Sequence, residues 1–205
     1  MNYLAHIYLS GENDLVTLGN FMADGIKGKD FLNFQRDIQI GILLHRNIDT
    51  FTDAHATVRK STKRLHAKYG HYSGIIVDIL YDHFLAKNWN SYHHLPLADY
   101  VENFYQMLTV NQEHLTPGIK RMVPFMIREN WLLSYAEMSG IATVLHNMNR
   151  RTKYKSGMNN ATEELELYYE SFEAEFKLFF RELKEFSVFR LGEIPSEIDN
   201  RSRLS

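Results

Sequence analysis

The sequence IQIGILLHRNIDTFTD, from Ile38 to Asp53, decides the fold class and contains the first candidate site residues. Its apolar residues recur at helical spacing, so that Ile38 and Ile42 lie on one face of a predicted α-helix. His45 and Asp49 fall on that same face, and Asp53 lies at its edge. Since the apolar face of an amphipathic helix packs against the core, at least one histidine and one carboxylate are expected to point inward.

A second predicted helix, over residues 72–87, has the same unusual pattern. Ile75 and Ile79 define its apolar face, while Asp82 lies in the middle of that face and Asp78 at its edge. A buried carboxylate without a partner is costly, so these inward acids need a compensating charge. A divalent cation supplies that charge, and histidine with carboxylate oxygens is a common ligand set for Mn, Fe or Zn.

Each of these residues also has a purely structural interpretation. A buried His–Asp pair can be a hydrogen bond of the core, and Arg46 or Arg59 could neutralise Asp49. His6 suits a core histidine, and Asp24 suits the end of a helix. Helical periodicity connects neither of these two residues to the helices described above. The metal-site interpretation therefore depends on the two predicted helices that both place acidic residues on their apolar faces.

The remaining sequence predicts an all-α protein. Of its 205 residues, 44% are hydrophobic and only four are proline, which permits a sizeable core and long helices. Apolar residues at helical spacing recur along the chain. We therefore expect a single-domain bundle of about seven to nine helices over residues 1–190. A frayed C-terminal tail over residues 191–205 and a mobile basic loop over residues 150–160 complete the prediction.

Composition excludes several classes of function. The chain has no cysteine, so it has no disulfide framework, no zinc–thiolate site and no cysteine nucleophile. A formal net charge of -2 argues against nucleic acid as a partner of the whole surface. The sequence shows neither the pattern of a signal peptide nor an apolar run long enough to span a membrane. The expected location is the cytoplasm.

Four short pieces of the sequence resemble the acyl carrier protein phosphodiesterase family. They occur in order between residue 2 and roughly residue 185, and they are quite specific only when taken together. The pieces are Asn2-Tyr3-Leu4-Ala5-His6, then Gly19-Asn20 followed by Ala23-Asp24, then His45-Arg46 with Ile48-Asp49 and Asp53, and finally Asp78 with Asp82-His83-Phe84-Leu85.

This resemblance implies a fold and a reaction. The family is all-helical and similar to the HD phosphohydrolases. It uses a divalent metal, with Mn²⁺ favoured over Mg²⁺ or Fe²⁺, to remove 4′-phosphopantetheine from holo-acyl carrier protein and leave the apo form. On the matching positions, the implied metal ligands are Asp24, His45, Asp49 and Asp82. The implied catalytic or supporting residues are His6, Asn20, Arg46, Asp78 and His83.

The sequence departs from the wider HD pattern, which contains an adjacent His–Asp pair. Here His45 and Asp49 are four residues apart, and Asp82–His83 has the reversed order. The ligand roles of the HD superfamily therefore cannot be transferred by motif alone.

The implied partner is a small, acidic carrier protein, so a basic docking patch is expected. The densest basic run follows the His45 helix and contains Arg59, Lys60, Lys63 and Arg64. Two alternatives remain open at this point. The first is the same chemistry on a nucleotide or another small phosphoester, and the second is a helical binding protein without enzymatic activity.

Overall fold

The computed structural model describes residues 2–202, and within them all regular secondary structure is helical, with no β-strand. The all-α prediction is therefore confirmed. The described residues form eleven α-helices, more than the seven to nine predicted, because α1, α8 and α10 are short and the other eight have nine or more residues. The helices are α1 (Tyr3–Tyr8), α2 (Asp14–Met22), α3 (Arg36–Ala54), α4 (Ala56–Tyr69), α5 (Ser73–Lys87), α6 (Leu97–Val110), α7 (Pro117–Arg128), α8 (Trp131–Ser134), α9 (Met138–Arg151), α10 (Thr162–Leu167) and α11 (Tyr169–Ser202).

The close crossing of α2 and α3 forms the centre of the fold. Gly19 on α2 lies against the backbone of Ile38, and Gly41 on α3 lies against the backbone oxygen of Val16. A Cβ atom at either glycine would collide with main-chain atoms, which cannot move aside as a side chain can. Two glycines therefore bring the two helix backbones into contact and place the end of α2 beside the middle of α3.

The long helix α11 closes the other side of α3. Its buried ring stripe packs over α3, α4 and α5 and consists of Phe172, Phe176, Phe179 and Phe180. The rings of Phe176 and Phe180 stack with centroids 5.0 Å apart, a favourable aromatic geometry. This layer fixes α3 from behind, so that the face of α3 carrying His45 turns toward α1 and α2.

Two predictions about irregular segments are corrected by the structure. The frayed tail is instead helical as far as Ser202, because Ile194 and Ile198 continue the buried face of α11. Residues 203–205 lie outside the described part of the chain. The basic loop after α9 is also ordered, since the Oδ1 atom of Asn149 accepts hydrogen bonds from Ser156 and Gly157.

Membrane insertion finds no support in the helices that the structure describes. Within residues 2–202, no helix combines the length and the apolar character that crossing a bilayer requires.

Candidate metal centre and active site

The structure brings three potential metal ligands from two separate helices together. Nε2 of His45 lies 3.1 Å from Oδ2 of Asp49, one helical turn further along α3. Nε2 of His6, from α1, lies 3.4 Å from the other oxygen of Asp49. The imidazole rings of His6 and His45 stack with centroids 4.0 Å apart. One ligand atom from each residue falls within a single cluster of the size that an ion requires.

Asn20, at the end of α2, orients both histidines. Its Oδ1 accepts a hydrogen bond of 2.8 Å from Nδ1 of His6, and its backbone oxygen accepts one of 2.8 Å from Nδ1 of His45. Its own side-chain nitrogen donates to the backbone oxygen of His6 and to the hydroxyl of Ser10, which fixes the orientation of the amide. Because both Nδ1 atoms carry the donated proton, both Nε2 atoms face the cluster as ligand atoms.

The two histidines differ in protonation. Burial lowers the pKa of His6 to about 4, although its contact with Asp49 opposes the fall, so this imidazole is neutral and able to ligate. Burial alone would also lower the pKa of His45, but hydrogen bonds to Asp24 and Asp49 outweigh it and raise the pKa to about 9. Burial would raise the pKa of Asp49, but both histidines hold it well below its usual range. A cation would replace the proton that His45 holds.

A direct observation tests whether a metal fits these residues. Nε2 of His6 is buried and, among the described residues, has no hydrogen-bond partner. A buried polar atom without a partner is rare in native proteins and needs an explanation. A cation bound between His6, His45 and Asp49 provides one, and two imidazoles with a carboxylate suit a divalent transition metal.

Asp24 lies at the rim of the same cluster. It follows α2 in a short 3₁₀ turn (Ala23–Gly25), and its Oδ1 lies 3.1 Å from Nε2 of His45. The hydrogen bond from His45 lowers the pKa of Asp24, and its side chain remains 76% exposed. The sequence placed Asp24 with His45 only through the family resemblance, and the structure brings the two into contact. Asp24 is therefore positioned to join the ligand set from the solvent side.

A cavity of about 290 Å³ opens in front of the cluster. Asp53 and Asp78 line it together with His45 and Asp49. Burial raises the pKa of Asp78, and the negative charges of Asp49 and Asp53 raise it further. The cavity is thus an acidic pocket with one carboxyl group that resists ionisation, a combination typical of functional sites.

Thr52 is a residue of this cavity that the sequence reasoning missed. Its side chain is buried, and its Oγ1 has no hydrogen-bond partner among the residues that the structure describes. At about 100° per residue, Thr52 falls on the same inward face of α3 as His45 and Asp49. That angle is the signal that would have found it, but a threonine on an inward face attracts less notice than a carboxylate.

Asp82, predicted as a metal ligand, lies outside the cluster of His6, His45 and Asp49 and contacts the start of α1. Its Oδ2 accepts a hydrogen bond of 2.7 Å from the backbone nitrogen of Leu4, and its Oδ1 accepts bonds of 3.3 Å from those of Asn2 and Ala5. Burial raises its pKa to about 7, although these backbone bonds oppose the rise. Asp82 therefore satisfies the free N–H groups at the start of α1 and fixes the helix that carries His6.

His83 and Arg46 also point away from the cluster. Nδ1 of His83 donates to the backbone oxygen of Tyr135, and its Nε2 accepts from the hydroxyl of Tyr169, so the ring is fully satisfied within the core. The guanidinium of Arg46 donates to the backbone oxygens of Ile26 and Gly28. Arg46 therefore holds the segment that follows Asp24, and neither residue lines the acidic cavity.

The predicted basic patch is partly neutralised by α11. Arg64 forms two hydrogen bonds of 2.7 Å to the carboxylate of Glu175, and Lys60 lies 3.2 Å from the same carboxylate. Arg59 donates to the backbone oxygen of Asp53, while Lys63 stays exposed. Arg64 is thus part of the packing between α4 and α11.

Comparison with known proteins shows the family of this chain. Residues 1–183 match the family model described as acyl carrier protein phosphodiesterase. A relative of that name from Photorhabdus laumondii is 33% identical over 183 residues, covering 88% of this chain and 91% of the relative. Another from Pectobacterium atrosepticum is 30% identical over 181 residues, with 88% and 94% covered. No solved structure matches the chain significantly, so a similarity to HD phosphohydrolases stays a prediction.

Proposed function

The chain belongs to the acyl carrier protein phosphodiesterase family, and from this premise we propose where and how it acts. It is a phosphoric diester hydrolase that removes 4′-phosphopantetheine from holo-acyl carrier protein. The proposed site is the acidic cavity in front of His6, His45 and Asp49, with Asp24 at its rim.

The observation that carries the proposal is the paired arrangement of two histidines around one carboxylate. Both imidazoles have their Nδ1 atoms fixed by Asn20, and both direct Nε2 toward Asp49. A core that needed only hydrogen bonds would not leave the buried Nε2 atom of His6 without one, 3.4 Å from an Asp49 oxygen. Conversely, a divalent cation needs several such atoms directed at one point.

The proposed cofactor is a divalent metal, held by His6, His45, Asp49 and Asp24. When bound, such a cation neutralises charge on a phosphate oxygen and lowers the pKa of a water molecule toward neutrality. Nitrogen and oxygen ligands together suit Mn²⁺ or Fe²⁺ better than Mg²⁺, which prefers oxygen ligands alone. Mn²⁺ therefore remains the favoured metal.

The other residues of the cavity supply the remaining chemistry. Asp78 lines the cavity, so its carboxyl group is placed to pass a proton to the leaving serine oxygen. The free hydroxyl of Thr52 can donate a hydrogen bond to a phosphoryl oxygen. Asn20 and Asp82 position the metal ligands, and neither contacts substrate in this scheme.

The test is a mass measurement on holo-acyl carrier protein incubated with the enzyme and Mn²⁺. Loss of the phosphopantetheinyl mass from the carrier is expected with the wild type and not with Asp49→Asn, which loses the central charge of the cluster. Asp37→Asn is the matched control, since Asp37 lies in the first turn of the same helix, where its half-buried carboxylate contacts Asn13 and not the cluster. An unchanged carrier alongside hydrolysed nucleotides would support a small phosphoester as substrate instead.

The binding site of the carrier protein is part of the same proposal. The run Arg59, Lys60, Lys63 and Arg64 was predicted as the docking patch, but Glu175 already balances two of these charges. Lys63 is exposed and therefore offers a clean test of this patch. Arg64 does not, because its substitution would also break a buried ion pair.

A further inference from the structure

On the basis of the proposed function, we infer that the groove between α1, α7, α8 and α9 binds the phosphopantetheine arm of the substrate. The groove has a volume of about 820 Å³, within the range of small-molecule sites. The hydrolysis proposed above takes place in the acidic cavity and does not itself involve the groove. The substrate, however, has a long flexible prosthetic group, which must occupy some space on the enzyme during the reaction.

The groove is continuous with the metal centre. Asn2, Asp24, Ile79 and Met148 line both the acidic cavity and the groove, so the two spaces share a wall. A phosphodiester at the metal centre would therefore have the groove directly beside it. The phosphodiester joins the phosphopantetheine arm to the carrier protein. The arm can extend along α9 in the groove while the carrier protein stays on the solvent side.

The chemistry of the groove fits an amide-containing chain. Its walls include the apolar side chains of Tyr3, Phe125 and Trp131, and Phe125 is 50% exposed. Thr143 and Asn147 add hydrogen-bonding groups on the α9 side. The arm itself is a narrow chain with two amides, a dimethyl branch, a hydroxyl and a thiol, and it needs an apolar wall with a few polar groups.

The aromatic wall of the groove is held in place before any ligand binds. The Trp131 indole nitrogen donates a hydrogen bond of 3.0 Å to Glu129, which fixes the ring. Gly140 at the start of α9 lies against the backbone oxygen of Ser134, so α8 and α9 are in backbone contact. A preformed wall reduces the entropy lost on binding a flexible chain.

The charges around the groove fit an anionic substrate. Arg121, Arg150 and Arg151 line it, against the acidic residues Asp24 and Glu129. Glu129 already accepts hydrogen bonds from Arg128 and Trp131. The balance is therefore positive, which favours a phosphodiester within the site and an acidic carrier protein at its entrance.

The experiment separates binding of the arm from hydrolysis. Pantetheine, which lacks the phosphate, is titrated into the full chain by calorimetry, with the wild type compared to Thr143→Phe. Thr143 is exposed on the groove side of α9, so a phenylalanine there fills the groove without disturbing the core. His146→Phe is the matched control, because His146 is exposed on the same helix and does not line the groove.

Thr143→Phe should weaken pantetheine binding and lower kcat/KM for holo-acyl carrier protein by roughly tenfold or more, since one misplaced group in a pocket has effects of that size. His146→Phe should match the wild type in both measurements, and both variants should keep the wild-type Tm.

If pantetheine fails to bind the wild type, or binds Thr143→Phe equally well, the groove is not the arm site even when the enzyme is active. If pantetheine binds as expected and the wild type leaves the holo-carrier intact, the proposed hydrolysis fails and the groove remains a pantetheine site.

Discussion

Replacing Asn20 by alanine should separate the stability of the fold from the affinity for metal. The side chain of Asn20 is fully buried and makes three hydrogen bonds, to Nδ1 of His6, to the backbone oxygen of His6 and to Ser10. Alanine removes all three. It keeps the backbone oxygen that accepts from His45, so only His6 loses its orienting partner.

The expected magnitudes follow from these contacts. At about 1 kcal/mol for each hydrogen bond, Asn20→Ala should lower the free energy of unfolding by roughly 3 kcal/mol. For a chain of 205 residues this corresponds to a fall in Tm of roughly 6 to 12 °C. Loss of the group that orients a metal-binding histidine typically lowers metal affinity by about 10- to 100-fold.

Asn149→Ala is the control that this chain offers. Asn149 is also buried and also makes three side-chain hydrogen bonds, with Asn159, Ser156 and Gly157, but it does not touch the cluster. Thermal unfolding of the metal-free proteins should show similar losses of Tm for both variants. A calorimetric Mn²⁺ titration should show weaker binding only for Asn20→Ala. Equal Mn²⁺ affinities in the two variants would refute the assignment of Asn20 as the residue that orients His6.

Three other predictions test separate parts of the structure. Gly41→Ala should lower the free energy of unfolding by about 3 kcal/mol, because the new Cβ atom meets the α2 backbone. Urea unfolding measures this loss, and an unaltered urea midpoint would contradict the close crossing of α2 and α3. Burial raises the pKa of Glu175, but the ion pair with Arg64 outweighs burial, so the pKa in the folded protein is lower than usual. The ionised Glu175 therefore stabilises the folded state fully above about pH 4.3, and this contribution is lost as the pH falls through the lower folded pKa. Glu175→Gln should therefore flatten the acid limb of stability against pH, measured by unfolding between neutral and acid pH; an unchanged limb would count against the ion pair. Arg151→Glu should raise KM for the holo-carrier roughly tenfold, and a larger effect of Lys63→Glu in the same assay would move docking to the predicted patch.

Helical periodicity predicted the parts of the site that lie on one helix. His45 and Asp49 are one turn apart on α3, so their shared inward face follows from the angle per residue. The same calculation would have included Thr52. These predictions hold because a helix fixes the relative directions of its own side chains, whatever packs against it.

The partner of an inward group could not be predicted in this way. Asp82 and Asp49 were both predicted on inward faces, yet Asp82 is fully buried against the backbone N–H groups of Leu4 and Ala5, while Asp49 is half-exposed beside two imidazoles. Periodicity describes which face of a helix is buried, and it contains no information about what lies opposite. The family resemblance implied that Asp82 is a metal ligand. It also contained no information about which groups lie opposite this residue.

The residue pattern alone predicts a helical protein and places His45 and Asp49 on one face of α3. Contacts between distant segments, which that pattern does not describe, join His6 to the cluster and pair Arg64 with Glu175. The crossing of α2 and α3 at Gly19 and Gly41 brings the Asn20 backbone oxygen to His45, and the packing of α1 on α2 brings His6 to the Asn20 side chain. Local spacing sets the direction of a side chain, and packing between distant segments sets what it meets.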